Sequence, residues 1–249
     1  MIWSECEGEG QIKPIEGVLF RLVENQEQAA TLSLVDTLEE QSLLEDLLET
    51  SKPSYPNGAF DRLHYLLKTP FRYPPLKWGS RFGRTHEPSL FYGGLSIEST
   101  LSKSAYYRFV FLRSMLGNPP SEKLRTEHCL FSVAYQTVKG IQLQVDPFDQ
   151  FKQALCHPTD YAPTQALGSD MRLAGVEAFE YRSARLNQDE LCCALFTPKA
   201  FVDHQPKTQE HWFCEITQAQ VTFKAIRSQR IFQFQLTDFL IEGRFPLPA

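Results

Sequence analysis

The sequence predicts an α+β fold. Three observations carry this reading. Helix-period patterns fall mainly in the first half, short alternating segments crowd the second half, and no regular strand–helix alternation of the doubly wound kind runs through the chain. With 249 residues, 42% of them hydrophobic, the chain has enough apolar surface for a substantial core. It reads as one domain over 1–249 with a helical insertion at about 30–68.

The elements follow in order. Val18-Leu19-Phe20-Arg21-Leu22-Val23 is a β-type run, and period two puts Leu19, Arg21 and Val23 on one face. An arginine in such a place must be paired or face a ligand. From Leu32 to Leu48, leucines at helical spacing with an acidic outer side predict a helix or helical pair ending before Lys52-Pro53. This acidic side reads first as a solvated face and second as a docking surface. Pro53 to Gly58 breaks the chain, and 69–84 reads as a loop bearing prolines and glycines, long enough to suggest a role.

Leu90 to Gly93 reads as a short strand. Ser96 or Ser99 can cap a helix running to about Leu116, with Leu101, Ala105, Phe109, Leu112 and Leu116 as its buried stripe. Alternation at Phe131, Val133 and Tyr135, then at Ile141, Leu143 and Val145, predicts a hairpin turning at Lys139-Gly140. A further helix is expected from Asp160 to Gly175, then short strands near 176–181, 191–196, 212–216, 219–225 and 230–236.

Composition excludes several functions. A net charge of −5 gives no clustered basic surface for nucleic acid or anionic lipid. No stretch approaches the ~18 apolar residues of a membrane helix, and the first ten residues lack a signal-type apolar run. The six cysteines show no zinc-ribbon spacing and read as reduced thiols of a cytoplasmic protein. His204, His211 and Cys214 match no common zinc pattern, so no metal is expected. Cys192-Cys193 reads as core packing. Phosphate-binding glycine loops, nucleophile elbows and His-Glu-x-x-His are absent.

What remains is a concentration of arginine and tyrosine: Arg72, Tyr73, Arg81, Arg84, Tyr92, Tyr106, Tyr107 and Arg108. Guanidinium groups fork phosphate oxygens and aromatic rings stack on flat bases, so the set suits a dinucleotide. Some of these arginines could instead brace the loop through backbone carbonyls.

Successive blocks then carry a resemblance: Gly17 to Glu24, Thr69-Pro70-Phe71-Arg72-Tyr73-Pro74-Pro75-Leu76, Gly79-Ser80-Arg81-Phe82-Gly83, Phe91-Tyr92-Gly93, Ala105-Tyr106-Tyr107-Arg108, His157 to Tyr161, and Glu180 to Arg185. In this order, over about 170 residues, they resemble RES-domain toxins. The resemblance implies an ADP-ribosyltransferase-like mixed sheet and cleavage of the nicotinamide–ribose bond of NAD⁺, with phosphate, water or a protein side chain as acceptor. It implies catalytic positions at Arg21, Lys103 and Ser183, and cofactor contacts from Arg72, Tyr73, Arg81, Tyr92 and Tyr106. Arg72-Tyr73 is the second choice for the first arginine. NAD⁺ is then the substrate, inorganic phosphate the expected co-substrate and a cognate antitoxin the expected partner, with a homo-oligomer left open.

One position departs from the pattern. The family's glutamate belongs two residues before Ala105, where this chain has Lys103. Glu98 lies five residues earlier, about 140° around a helix, and points elsewhere. Bond cleavage builds positive charge on the ribose, which a carboxylate stabilises and an ammonium opposes. Lys103 could oppose the chemistry from within the site, or snorkel away from it and leave weak activity. The rival reading from another class is a non-catalytic module that binds NAD⁺ or an antitoxin.

Overall fold

The computed structural model describes residues 1–25, 34–55, 60–117, 119, 121–184 and 190–247. Among the described residues eight strands form one mixed sheet: β1 (Lys13–Glu24), β2 (Phe91–Gly94), β3 (Leu124–Gln142), β4 (Ala178–Arg182), β5 (Leu191–Leu195), β6 (Thr208–Ile216), β7 (Gln220–Ala225) and β8 (Ile231–Gln235). The helices are α1 (Ile2–Glu5), α2 (Leu38–Ser51), α3 (Tyr65–Arg72), α4 (Ile97–Arg113), α5 (Lys152–Leu155) and α6 (Ala162–Leu173).

The strand order is β1-β2-β5-β4-β3-β6-β7-β8, and β1 also pairs with β3. This extra pairing closes β1, β2, β5, β4 and β3 into a ring, from which β6, β7 and β8 extend. Among these pairs only β3 and β4 run parallel, so the sheet is mixed and not doubly wound. The ADP-ribosyltransferase-like core expected from the sequence is consistent with this architecture. Three apolar clusters support it. One surrounds Leu19, Phe91 and Phe131, one surrounds Phe82, Phe179 and Met171, and one joins α4 to β6, β7 and β8 through Leu101, Phe109 and Trp212.

The predicted hairpin at Lys139-Gly140 is absent. β3 runs straight through those residues, pairing Gly140 with Lys13 on one side and with Ala178 on the other. Gly140 serves close packing: a Cβ there would lie 2.3 Å from Ile15 Cγ1. In the sequence alone, a glycine required by strand-on-strand contact is indistinguishable from a turn glycine.

The loop expected at 69–84 begins as helix. α3 runs to Arg72 with Pro70 inside it, and buries Leu66, Leu67 and Phe71 while His64 Nδ1 accepts from Leu66 N. Burial of this apolar stripe against β2 outweighs the single backbone donor that Pro70 lacks.

α2 starts at Leu38, and the expected start near Leu32 lies outside the described residues. Its apolar side is not turned inward. Gln41 is its buried residue, while Leu38, Leu43 and Leu47 are exposed. The helix is held at its ends, by Thr37 Oγ1 accepting from Glu40 N and by the ion pair of Glu49 with Arg72.

α4 matches its prediction in its cap and its stripe. Ser96 and Ser99 form a reciprocal capping box, and Leu101, Ala105 and Phe109 are fully buried. It ends at Arg113, however, and Leu116 beyond it is fully exposed.

Candidate active site

α4 has two working faces. Leu101, Ala105 and Phe109 enter the core, while Thr100, Lys103, Ser104, Tyr107, Arg108 and Phe111 line a cavity of about 840 Å³. Spacings of three and four residues separate members of each set, so helix phase alone assigns them. The opposite walls come from Arg21 and Glu24 of β1, the segment carrying Trp78 and Arg81, Tyr92 of β2, and Tyr181 and Ser183 at the end of β4.

β2 passes directly over the start of α4. A Cβ on Gly94 would lie 2.3 Å from Ser99 Oγ and 2.5 Å from Thr100 Oγ1, and one on Gly93 would lie 2.8 Å from Leu19 Cδ1. The Gly93-Gly94 pair thereby brings Tyr92, β1 and α4 close enough to share one cavity. Thr100 Oγ1 donates to Phe20 O at 3.2 Å, tying α4 to β1 directly.

Arg21 is bound at its head and unmatched at its elbow. Nη1 donates to Tyr92 O at 2.8 Å and the guanidinium lies 5.0 Å from the centre of the Phe91 ring. Its Nε is buried without a hydrogen-bond partner. Burial pushes its pKa down to about 10, which still leaves it charged at neutral pH. A charged group bordering a cavity with a donor to spare suits an anionic ligand.

Tyr92 is a hub. Its hydroxyl accepts from Phe82 N at 3.1 Å and shares a hydrogen bond with Ser80 Oγ at 2.9 Å. Burial pushes its pKa up to about 12, so it stays a neutral phenol. These bonds hold the turn that presents Arg81, whose Nη1 donates to Leu155 O at 3.0 Å and whose guanidinium lies over Tyr161. Tyr92→Phe leaves Phe82 N without its acceptor. The expected cost is about 1–3 kcal/mol of stability, measured by thermal denaturation; an unchanged midpoint would show that the turn is held by other contacts.

Lys103 points inward. Its Nζ lies 4.6 Å from the centre of the Tyr92 ring, and the residue is half-buried. Snorkelling away from the cavity is therefore not what it does. Glu98 is exposed and does not line the cavity. Among the described residues the cavity has one carboxylate, Glu24, paired with Arg108 at 2.7 Å. Ser183 is buried in the wall, with its N donating to Glu190 O at 2.7 Å.

Arg21, Arg81, Tyr92, Lys103 and Ser183 thus line one cavity. Three other expected contacts lie elsewhere. Arg72 turns from the cavity to Glu49, at 2.6 Å, and to Pro53 O, at 2.5 Å, with its guanidinium over Tyr55. Tyr73 lines an adjoining pocket of about 300 Å³, which shares Arg21 and Glu24 with the main cavity. Tyr106 is fully buried on the core face, stacked 5.2 Å from Phe245 and donating to Pro246 O at 2.6 Å. Tyr107, one turn beyond Lys103, lines the cavity in place of the expected Tyr106. Trp78, Tyr161 and Tyr181 add to the aromatic lining.

The RES-domain family model matches residues 57–216, which is more than half of the chain. This chain belongs to the RES-domain family. The matched residues include Arg81, Tyr92, Lys103 and Ser183; Arg21 precedes them and joins the RES domain through the β1–β3 pairing. No curated protein matches the sequence. Family membership supports a function related to NAD⁺ in general terms. Among the described residues, no helix is long and apolar enough to cross a membrane, and no group of three or more His, Cys, Asp or Glu is placed to hold a metal ion.

Proposed function

We propose that the cavity binds NAD⁺ and is built to cleave its nicotinamide–ribose bond, as the toxin of a cytoplasmic toxin–antitoxin pair, with Lys103 suppressing turnover. Inorganic phosphate is the proposed acceptor, giving nicotinamide and ADP-ribose 1″-phosphate, and a cognate antitoxin protein is the proposed partner. The observation that carries this reading is the convergence of Arg21, Arg81, Tyr92 and Ser183 on one cavity, with the Lys103 ammonium over the Tyr92 ring.

In this reading the half-buried Arg21 and the forked head of Arg81 bind the pyrophosphate, and Tyr92 positions both, through its carbonyl and its hydroxyl respectively. Ser183 supplies a short polar side chain in the wall. Lys103 opposes the positive charge that develops on the ribose. The same lysine favours a second reading, a RES module that binds a dinucleotide without consuming it.

The test is nicotinamide release from NAD⁺ by this chain and by Lys103→Glu, with and without phosphate. Turnover by the Glu variant only with phosphate supports phosphorolysis. Turnover in water alone identifies a hydrolase, and transfer of label to a protein identifies an ADP-ribosyltransferase. A Glu variant inert with every acceptor overturns the enzyme reading and leaves the binding module.

A further inference from the structure

The 300 Å³ pocket beside α3 continues the main cavity. The two share Arg21, Glu24, Pro70, Pro74 and Ser89, but Tyr92, Lys103 and Ser183 line the main cavity alone. A dinucleotide with its pyrophosphate on Arg21 and its scissile ribose toward Ser183 therefore directs its far nucleoside into the smaller pocket. Tyr65, Tyr73 and the two prolines line it and offer flat apolar faces to a base. Glu24 stands at the junction, the one carboxylate of either wall among the described residues. β1 places it opposite His128 of β3, and Arg108 of α4 reaches both. Arg108 Nη2 donates to Glu24 Oε2 at 2.7 Å and to His128 Nε2 at 3.3 Å. His128 is buried, and burial pushes its pKa down to about 4, so at neutral pH it seats the guanidinium as an uncharged acceptor. Among the described residues, Glu24 Oε1 and Arg108 Nη1 make no hydrogen bond.

We infer that Glu24 reads the adenosine ribose: its free oxygen accepts from the ribose hydroxyls, and its charge excludes a phosphate at the 2′ position. The site then takes NAD⁺ and rejects a dinucleotide phosphorylated on that hydroxyl. This rests on the dinucleotide reading above and names the ribose chemistry that the same site selects. A 2′-phosphate brings about two negative charges to a place where the Arg108 charge is already matched by Glu24. A carboxylate beside an adenosine ribose suits a 2′-hydroxyl, whereas an arginine there accommodates a 2′-phosphate. Here both are present, and the ion pair decides between them. Without the Glu24 charge, Arg108 stays seated on His128 and becomes a fork open to phosphate oxygens.

The experiment is calorimetric titration of the unaltered chain with ADP-ribose and with ADP-ribose phosphorylated on the adenosine 2′-hydroxyl, repeated with Glu24→Gln. Neither ligand carries the nicotinamide bond, so turnover does not enter the result. ADP-ribose is expected to bind the unaltered chain at least about tenfold more tightly than its 2′-phosphate. Glu24→Gln is expected to reverse that order, weakening ADP-ribose and strengthening the 2′-phosphate through the released Arg108. The comparison of ligands on the unaltered chain stands even if the variant fails to fold. Equal affinities on the unaltered chain, or a ratio unchanged by Glu24→Gln, would overturn the role of Glu24 and leave the dinucleotide site standing. If neither ligand binds, the dinucleotide reading itself fails, and the inference with it.

Discussion

Lys103→Glu is expected to release nicotinamide from NAD⁺ at least about a thousandfold faster than the chain as it stands. Unit charges ~4 Å apart at an effective dielectric of ~20 interact by about 4 kcal/mol, which corresponds to about three decades in rate. Restoring the carboxylate adds an attraction of that size to the cationic transition state and also removes the lysine's repulsion. The geometry makes the change local: Nζ lies 4.6 Å from the centre of the Tyr92 ring, inside the cavity, so a carboxylate on the same turn of α4 borders the same space. The assay follows free nicotinamide with time. A rate within a few-fold of the unaltered chain would show that residue 103 does not face the scissile bond.

Arg21→Met is the second large effect. The thioether keeps much of the length and apolar contact over Phe91 while removing the charge and the donors. Hydrogen bonds to charged groups contribute about 1.5–3 kcal/mol each, so ADP-ribose affinity should fall by roughly one to two orders of magnitude. Circular dichroism should show the fold retained, with some loss of stability because Tyr92 O loses its donor. Arg21→Lys should not restore affinity, since an ammonium lacks the forked geometry and the Nε donor. An unchanged dissociation constant for Arg21→Met would remove Arg21 from the site.

The same two residues show what the sequence makes legible. An arginine in the middle of an apolar strand has few explanations, and Arg21 proves to border the cavity. Lys103 stands out because surrounding blocks keep their pattern while it reverses a charge. The secondary structure of α4 and α6 and the strands after residue 176 follow from periodicity and caps, because those signals are local.

The failures are non-local. Gly140 looks like a turn until Ile15, brought against it by β1, explains the missing side chain. α3 is obscured by Pro70, although Leu66, Leu67 and Phe71 lie on one face of it. Arg72 belongs to a pair with Glu49, twenty-three residues away, and no local pattern ties the two together. Helix phase by itself separates Tyr107 from Tyr106. Once Lys103 faces the cavity, the residue four positions on shares its face, and Tyr106 falls toward the Leu101, Ala105 and Phe109 stripe.

On the proposed function, one cavity between α4, β1, β2 and the end of β4 holds a dinucleotide with its pyrophosphate against Arg21 and its distal ribose near Lys103. A crystal structure of the unaltered chain with ADP-ribose tests this most directly. The expected result is phosphate oxygens within hydrogen-bonding distance of Arg21, including the Nε that lacks a partner, and the distal ribose beside Lys103. Ligand density outside this cavity, or a pyrophosphate away from both Arg21 and Arg81, would contradict the account.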